Sequence, residues 1–85
     1  MISRWEFAEH SAEFDVEALV TKFGDGEFRL TWDVRRQASP DFLMDRGMEV
    51  FETLEKAEIH FRAVAGKAHF DPTKIFLRAV DTRRR

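Results

Sequence analysis

The segment of residues 57–70, AEIHFRAVAGKAHF, gathers the side chains most able to do chemistry, among them His60, Lys67 and His69. Histidines that hold one metal ion from a single helix lie four residues apart, as in H-E-x-x-H. His60 and His69 are nine residues apart, and at about 100° per residue they fall on opposite sides of a helix. His10 lies far upstream, without a partner at a metal-binding spacing. We therefore expect no metal site.

The angular positions of the polar residues around this helix indicate which of them reach solvent. His60 and Lys67 lie about 120° and 140° from Leu54 on the helix circumference, so we expect both in solvent. Glu58 lies only about 40° from Leu54, at the edge of the apolar side. It is either a boundary carboxylate that reaches water or pairs with Arg62, or a partly buried acid available for chemistry. We favour the boundary carboxylate because nothing nearby in the sequence completes a catalytic set.

The remaining candidates for catalysis each have a structural explanation. Ser39 is suited to cap a helix, and it lacks the neighbouring base that a nucleophile requires. The segment Gly24-Asp25-Gly26 lacks the lysine and the longer glycine pattern of a phosphate-binding P-loop, so we expect a tight turn there. The chain has no cysteine, which excludes disulfides and cysteine-bound zinc. We therefore expect a protein without enzymatic activity, cofactor or metal.

Two segments of alternating polarity predict a β-hairpin. In EFRLTWDVRR, apolar residues at every second position alternate with Arg, Thr and Asp, which is the pattern of a strand with one buried face. FDVEALVTKF alternates in the same way upstream. The two glycines between these segments supply the positive backbone angles of a tight turn. We expect strands at residues 15–23 and 27–35.

A long helix is predicted after the hairpin. In QASPDF, Ser39 is a favourable N-cap and Pro40 suits the first helical position. An unbroken helix from there to Ala68 would be about 43 Å long, which is too long for a compact domain of this size. We therefore expect an interruption near Gly47 and a main helix over residues 48–66. The helix would bury one continuous apolar stripe, made of Leu43, Gly47, Val50, Leu54, Ala57, Phe61, Val64 and Ala68.

A third strand completes the expected fold, because IFLRAVD from Ile75 onward alternates once more. The prediction is a single α+β domain over residues 1–85, made of a β-hairpin, a helix and a third strand. The three strands form an antiparallel sheet of order 2-1-3 with the helix on one face. Trp5 and Phe7 must also be buried, either in a short extra strand or over the other face of the sheet. Residues 82–85 are expected to form a basic, disordered tail.

The segments FDVEALVTKF and KIFLRAVD, together with the helix between them, are similar to those of a known family. The matching positions outside the first segment are Phe51, Ile59, Ala65, Lys67, Phe70, Leu77, Ala79 and Asp81, with the best agreement in the last three. Over most of its length the chain thus resembles a family of short bacterial proteins, domain-of-unknown-function family number 1488. The resemblance implies a small α+β fold and supplies no catalytic residue.

Apolar residues outside the predicted core indicate an interaction surface. By alternation, the sheet face away from the helix carries more apolar residues than a solvated face does. Three residues on one shoulder of the helix could add a second apolar patch. We therefore expect a small non-enzymatic protein-interaction or regulatory module whose partner is a second copy or another protein. The sheet-face residues are Leu19, Phe23, Phe76 and Val80, and the helix residues are Met44, Met48 and Ile59.

The basic C-terminal end leaves open a second function, that of a nucleic-acid-binding accessory protein. The formal net charge is -2, whereas a dedicated nucleic-acid binder usually carries a clear basic excess. Arginine side chains at a chain end can nevertheless hold phosphates. The cationic residues that would serve this function are Arg35, Arg36, Lys74, Arg78, Arg83, Arg84 and Arg85.

The hydropathy of the chain indicates where it resides. No run approaches the roughly 18 apolar residues that a membrane-spanning helix requires. The N-terminal segment MISRWEFAEH lacks the apolar stretch of a signal peptide. We therefore expect a cytoplasmic protein without a membrane partner.

Overall fold

In the part of the chain that the structure describes, four strands precede the helix, and a fifth, short strand follows it. The computed structural model describes residues 3–24 and 26–80, with the backbone alone for residues 39–44. The strands are β1 (Arg4–His10), β2 (Phe14–Lys22), β3 (Phe28–Arg36), β4 (Ser39–Phe51) and β5 (Arg78–Ala79). The α-helix α1 is Leu54–Lys67, and a 3-10 turn at Pro72–Lys74 lies between it and β5.

The five strands form one antiparallel sheet in the order β4-β3-β2-β1-β5. The predicted α+β class is confirmed, but the predicted three-stranded sheet of order 2-1-3 is wrong. β1 occupies the edge of β2 that the last strand was expected to take, and β5 pairs with β1. The additional strand β4 runs antiparallel to β3 and so reverses the chain direction once more before the helix begins. β5 therefore runs parallel to β2, where an antiparallel arrangement was expected.

The predicted hairpin is confirmed to within one residue at each strand end. β2 and β3 pair antiparallel along their whole lengths. In the turn between them, Gly24 and Gly26 have φ angles of 62° and 78°, values that residues with a Cβ rarely adopt. Both glycines therefore have the positive φ angles that the predicted tight turn requires. Asp25 lies outside the described residues.

Residues 39–51 form a strand where a helix was predicted. β4 pairs with β3, so Ser39 lies at the start of a strand and caps no helix. Gly47 interrupts no helix either, because it lies opposite Trp32 in the β3–β4 pair. A Cβ added at Gly47 would lie 2.3 Å from the ring atom Cζ2 of Trp32. The helical spacing of apolar residues in this segment is a coincidence, since Val50 belongs to the exposed part of a strand.

The helix is shorter than predicted but keeps the predicted buried side. Its N-cap is Thr53, whose hydroxyl accepts a hydrogen bond from the Lys56 N–H at 3.1 Å. The buried residues of α1 follow the C-terminal half of the predicted stripe. The helix ends at Lys67, one residue beyond the predicted end at Gly66. His69 follows with a φ of 68°, in the left-handed conformation that glycine usually takes after a helix.

The hydrophobic core lies between α1 and one face of the sheet. Phe61 of α1 is fully buried and its ring centroid lies 5.5 Å from that of Phe7 in β1. Trp5 lies 5.8 Å from Phe28 in the same way. The N-terminal segment is therefore an extra strand, which is one of its two predicted placements. The fully or nearly fully buried residues are Phe14, Val16, Ala18, Val20, Leu30, Val34, Ala57, Phe61, Val64, Ala65, Ala68 and Ile75.

Candidate functional site

The sheet face opposite α1 is a candidate site, and we call it the open face. In β2, Val16, Ala18 and Val20 are buried against the helix. Successive side chains of a strand point to opposite faces, so Glu17 and Leu19 point to the open face. The pairing of the strands then assigns the remaining residues of this face. No helix or strand of residues 3–24 and 26–80 covers it.

Three adjacent rows of side chains occupy the centre of the open face, each made of residues that lie opposite one another on adjacent strands, and a further row, His10, Asp15 and Arg35, lies beyond them. The lower row is Ala8, Glu17, Asp33 and Arg46. The middle row is Arg78, Glu6, Leu19, Thr31 and Met48, and the upper row is Arg4, Thr21, Arg29 and Val50. The lower and middle rows, together with Arg4, line a shallow depression of about 910 Å³. A depression of this size can receive side chains of a partner.

The sign of the charge changes between the lower and the upper row. The lower row contains the carboxylates of Glu17 and Asp33, and the Asp33 Oδ1 atom lies 3.2 Å from Nε of Arg46. The charged residues of the upper row are Arg4 and Arg29, both cations. Within the described part of the chain, the side chains of Glu17 and Arg4 form no ion pair. Both charges are exposed, so they are available to groups outside the chain.

Four of the predicted surface residues lie on or beside the sheet. Leu19, half-buried, and Met48, exposed, share the middle row of the open face. Phe23 follows β2, and the guanidinium carbon of Arg29 lies 4.4 Å from its ring centroid. Val80 follows β5 and donates its backbone N–H to a carbonyl of β1 at 2.9 Å. Of these four, only Leu19 and Met48 belong to the three rows.

The other predicted apolar residues do not extend this surface. Ile59 is exposed on α1, on the opposite side of the sheet from the open face. Phe76 is exposed, and its ring lies 5.4 Å from the guanidinium carbon of Arg62. Met44 belongs to β4, and its side chain lies outside the described part of the structure. The prediction that Met44, Met48 and Ile59 share one helix shoulder is therefore wrong, because the two methionines lie in a strand.

The predicted nucleic-acid contacts are spread over the molecule. Arg35 and Arg36 end β3, and Arg78 lies in β5 on the far side of β2 and β1. With strands about 4.8 Å apart, that separation is roughly 14 Å. Lys74 ends the 3-10 turn. The strand ends thus do not bring these cations together. The remaining three, Arg83, Arg84 and Arg85, lie outside the described residues.

His60 packs against the sheet, where the sequence predicted a solvated position. Its ring centroid lies 5.2 Å from those of Trp32 and Phe51. Its Nε2 atom lies 3.6 Å from Oε1 of Glu49. The prediction was wrong because β4 brings Phe51 and Glu49 alongside the helix. Lys67, by contrast, is exposed as predicted. His60 is therefore surrounded by two aromatic rings and one carboxylate, and it packs α1 against the sheet.

Glu58 connects α1 to the segment that leads into β5. Its Oε1 atom accepts a hydrogen bond from Nη2 of Arg62 at 3.1 Å, and its Oε2 atom accepts one from the Leu77 N–H at 2.8 Å. Arg62 also donates its Nε–H to the carbonyl oxygen of Ile75 at 3.1 Å. The predicted pairing of Glu58 with Arg62 is confirmed. Both carboxylate oxygens are engaged in holding the fold together.

Two further features are absent from the described residues. Residues 3–24 and 26–80 contain no group of three or more His, Cys, Asp or Glu side chains that could hold a metal ion. No helix in the same part of the chain is long and apolar enough to cross a membrane.

Comparison with known proteins identified no relative. The chain matches no protein-family model, no curated protein and no solved structure. The resemblance to domain-of-unknown-function family number 1488 therefore stays a prediction. The geometry of the open face is the remaining basis for a functional inference.

The sequence pattern predicted part of the open face but not its extent. Alternation in the hairpin assigns Glu17, Leu19 and Asp33 to the side away from the core. It does not show that β1 and β4 flank the hairpin and add Arg4 and Arg46 to the same face. The alternation of RWEFAEH, with its two aromatic residues on one side, is the signal that could have located Arg4. No comparable signal exists for β4.

Proposed function

We propose that this protein is a small non-enzymatic interaction or regulatory module that binds a protein partner through the open face. The observation that carries the proposal is the middle row, where Leu19 and Met48 lie between a row with the carboxylates of Glu17 and Asp33 and a row with the cations Arg4 and Arg29. Protein interfaces commonly combine an apolar centre with a polar rim. The open face has this arrangement and is left without a cover by the described elements.

The chemical groups of the open face favour recognition over reaction. In the three rows they are carboxylates, guanidinium groups, the hydroxyls of Thr21 and Thr31, the thioether of Met48 and aliphatic side chains. Charges of both signs select a partner by complementarity and raise the rate of encounter. A catalytic site would need a nucleophile or general base positioned by a further group, and the three rows show no such set. A cytoplasmic location stays a prediction from the sequence.

The test compares two baits that differ at one position of the open face. Tagged wild-type protein and its Leu19→Asp variant are incubated with the native lysate, and the retained proteins are quantified by mass spectrometry. Wild type should retain at least one protein that Leu19→Asp loses, because a carboxylate would be buried without a partner at the centre of the interface. Ile59→Asp is the matched control, since Ile59 is exposed on the helix. Retention by this control should equal that of wild type.

Circular dichroism must show the same fold in all three baits. Equal retention by wild type and Leu19→Asp would refute the open face as the binding surface. Failure of wild type to retain any protein specifically would refute the interaction function itself.

A further inference from the structure

We infer that the outer edge of β4 is a docking site for an extended segment of another protein, in which apolar and basic residues alternate and which joins the sheet as an added strand. The site is the edge over residues 45–51, which we call the β4 edge. The inference goes beyond the proposed function, because it concerns an edge of the sheet and stands whether or not the open face binds a partner.

The backbone of β4 offers hydrogen-bonding groups that point away from the sheet. The Phe23 N–H donates to the carbonyl oxygen of Glu27 at 2.9 Å and so closes the β2–β3 hairpin. Hydrogen-bonded and non-hydrogen-bonded pairs alternate along an antiparallel ladder, so this contact fixes which residues of β3 bond to β2 and which bond to β4. The register of β3 with β4 then directs the N–H and C=O groups of every second residue of β4 outward. Within the β4 edge these residues are Arg46, Met48 and Val50.

The β4 edge is open and regular. β4 pairs with β3 on one side, and no other strand of residues 3–24 and 26–80 pairs with its outer side. The start of β4 is guarded, because Pro40 has no N–H and the ladder shifts register there. Residues 45–51, by contrast, pair with β3 without a shift. An unbroken edge of this length is a template to which an extended segment can add by main-chain hydrogen bonds.

The side chains on the helix side of the β4 edge favour a cationic partner. Asp45, Gly47 and Glu49 lie on this side, because they are paired with residues of β3 that face the core. Asp45 forms no ion pair within the described part of the chain. The Glu49 side chain lies 3.6 Å from His60 and is 53% exposed, so it can accept a second cation. The Trp32 ring lies over Gly47, and an indole ring is a favourable neighbour for a cation.

The side chains on the other side of the β4 edge favour an apolar partner. Met48 and Val50 are exposed there, while Arg46 already pairs with Asp33. Side chains directly opposite one another on adjacent strands are in contact, so apolar residues of the added strand would cover Met48 and Val50. Because successive residues of a strand alternate between the two sides, the segment that fits carries apolar and basic residues in alternation.

A second copy of β4 fits this edge poorly. It would bring its own Asp45 and Glu49 to the same side of the junction, where residues 45–51 supply no Lys or Arg. Like charges on adjacent strands destabilise their pairing, and inward-pointing charges on an edge strand are a common protection against self-association. The carboxylates that disfavour a second copy are the ones that select a basic segment.

A synthetic peptide tests the docking site. The probe is an end-capped octapeptide of alternating valine and lysine that carries a fluorescent label, titrated with the full-length protein and followed by fluorescence anisotropy. We expect saturable binding with a dissociation constant below about 1 mM. The matched octapeptide of alternating valine and glutamate should bind at least about tenfold more weakly, because its charges meet Asp45 and Glu49.

Two N-methylated forms of the basic peptide distinguish strand addition from simple charge attraction. Valines opposite Met48 and Val50 direct their N–H groups to β4, whereas the lysine N–H groups point away from it. N-methylation of two central valines should therefore weaken binding at least about tenfold, because two hydrogen bonds are lost. N-methylation of two central lysines keeps the net charge and should change the affinity by less than about twofold.

The variant Met48→Pro tests the same contact from the side of the protein. Proline removes the outward N–H but leaves the ladder with β3 intact, which is why edge strands tolerate it, and binding should weaken at least about tenfold. Met48→Thr is the matched control, since it keeps the N–H and suits a strand, and it should bind within about threefold of wild type. Circular dichroism checks the fold of both variants. If Met48→Pro does not fold, the N-methylated peptides decide the question with wild-type protein alone.

The docking site is overturned if the basic peptide shows no saturable binding up to about 1 mM, if both N-methylated peptides bind equally, or if the acidic peptide binds as well as the basic one. Dimerisation of wild type that Met48→Pro abolishes would assign the β4 edge to a second copy and would likewise overturn the foreign segment. The lysate comparison depends on Leu19 and Ile59, which lie outside β4, so its outcome is separate from these results.

Discussion

At the scale of single residues, Gly47 shows how an edge strand adapts to a large neighbour. The Trp32 ring lies against the Gly47 backbone, where an added Cβ would come within 2.3 Å of Cζ2. The same ring lies close to that of His60 in α1, with ring centroids 5.2 Å apart. Trp32 is therefore held between a strand and the helix, and the absence of a side chain at Gly47 is what leaves room for it.

The first prediction concerns this contact. Gly47→Ala should lower the free energy of unfolding by about 1–3 kcal/mol, because the Trp32 ring must move out of a packed position. Urea unfolding followed by tryptophan fluorescence measures the change. The control is Gly66→Ala in the last turn of α1, where an added Cβ meets nothing within 4 Å. That variant should gain up to about 1 kcal/mol, because alanine is the better helix former. Equal stability of Gly47→Ala and wild type would contradict the packing described.

The second prediction at this scale concerns the pH dependence of Asp71. Hydrogen bonds from the hydroxyl and the backbone N–H of Thr73, at 2.7 Å and 3.0 Å, lower the pKa of the Asp71 carboxyl below its ordinary 3.8. A depressed pKa means that the carboxylate contributes stability above its ordinary pKa, and that this contribution is lost as the pH falls through the folded-state value. An NMR titration of the Asp71 carboxyl should show the low midpoint. Thr73→Val should raise it, and an unchanged midpoint would show that the hydroxyl has no such effect.

At the scale of elements, Glu58 and Arg62 of α1 hold the segment that leads into β5. β5 is only two residues long and pairs with β1 at two positions. So short a strand contributes little by its own ladder. The Glu58 carboxylate supplies a second attachment, since it accepts the Leu77 N–H at 2.8 Å and is itself oriented by Arg62. The end of the described chain is thus held from the helix as well as from the sheet.

The third prediction tests this attachment. Glu58→Gln should lower the free energy of unfolding by about 1–3 kcal/mol, because the hydrogen bond from Arg62 and the one from the Leu77 N–H lose their charged acceptor. Hydrogen exchange of the Leu77 amide should become faster than in wild type. A global loss of stability would instead speed the exchange of the core amides as well. Glu55→Gln is the control, because Glu55 is exposed in the first turn of the same helix. Leu77 exchange that is the same in both variants would mean that Glu58 does not hold this segment.

At the scale of the whole molecule, the charged side chains of the open face are sorted by row, whereas the net charge of the chain is small. The net charge is only -2, yet the lower and upper rows differ in sign. This pattern is the basis on which we propose a protein partner. Those of the predicted phosphate-binding cations that the structure describes do not form a continuous basic surface, because Arg35 and Arg78 lie three strand positions apart.

The fourth prediction follows from that distribution. In a gel-shift series with duplex DNA and with single-stranded RNA, we expect no retardation at low salt. A phosphate backbone is held by several clustered cations, and Arg35 and Arg78 are far apart on the sheet. Deletion of residues 83–85 should leave this result unchanged. Retardation that weakens with rising salt and disappears on deletion would instead support the nucleic-acid-binding alternative. The wild-type protein at the same concentrations serves as the reference for the deletion.

The amino-acid sequence by itself determined the elements whose periodicity is set by a buried face. The β2–β3 hairpin follows from alternation around two glycines, and the stripe from Ala57 to Ala68 follows from helical spacing. Both patterns are strong because each element buries one complete side, and burial requires apolar residues at a regular period. The pairing of Glu58 with Arg62 was predictable for a similar reason, since residues four apart on a helix are neighbours.

Only the tertiary structure decided the sheet order, the course of β4 and the extent of the open face. β4 is an edge strand with Gly47 and Glu49 on its inner side, so its alternation is too weak to exclude a helix. The local cap signals of Ser39 and Pro40 then favour the wrong element. The placement of β1 between β2 and β5, and of His60 between two aromatic rings, depends on pairing between distant segments. Such pairing leaves no periodic mark in either segment alone, and therefore the rows of the open face appear only when the strands are assembled.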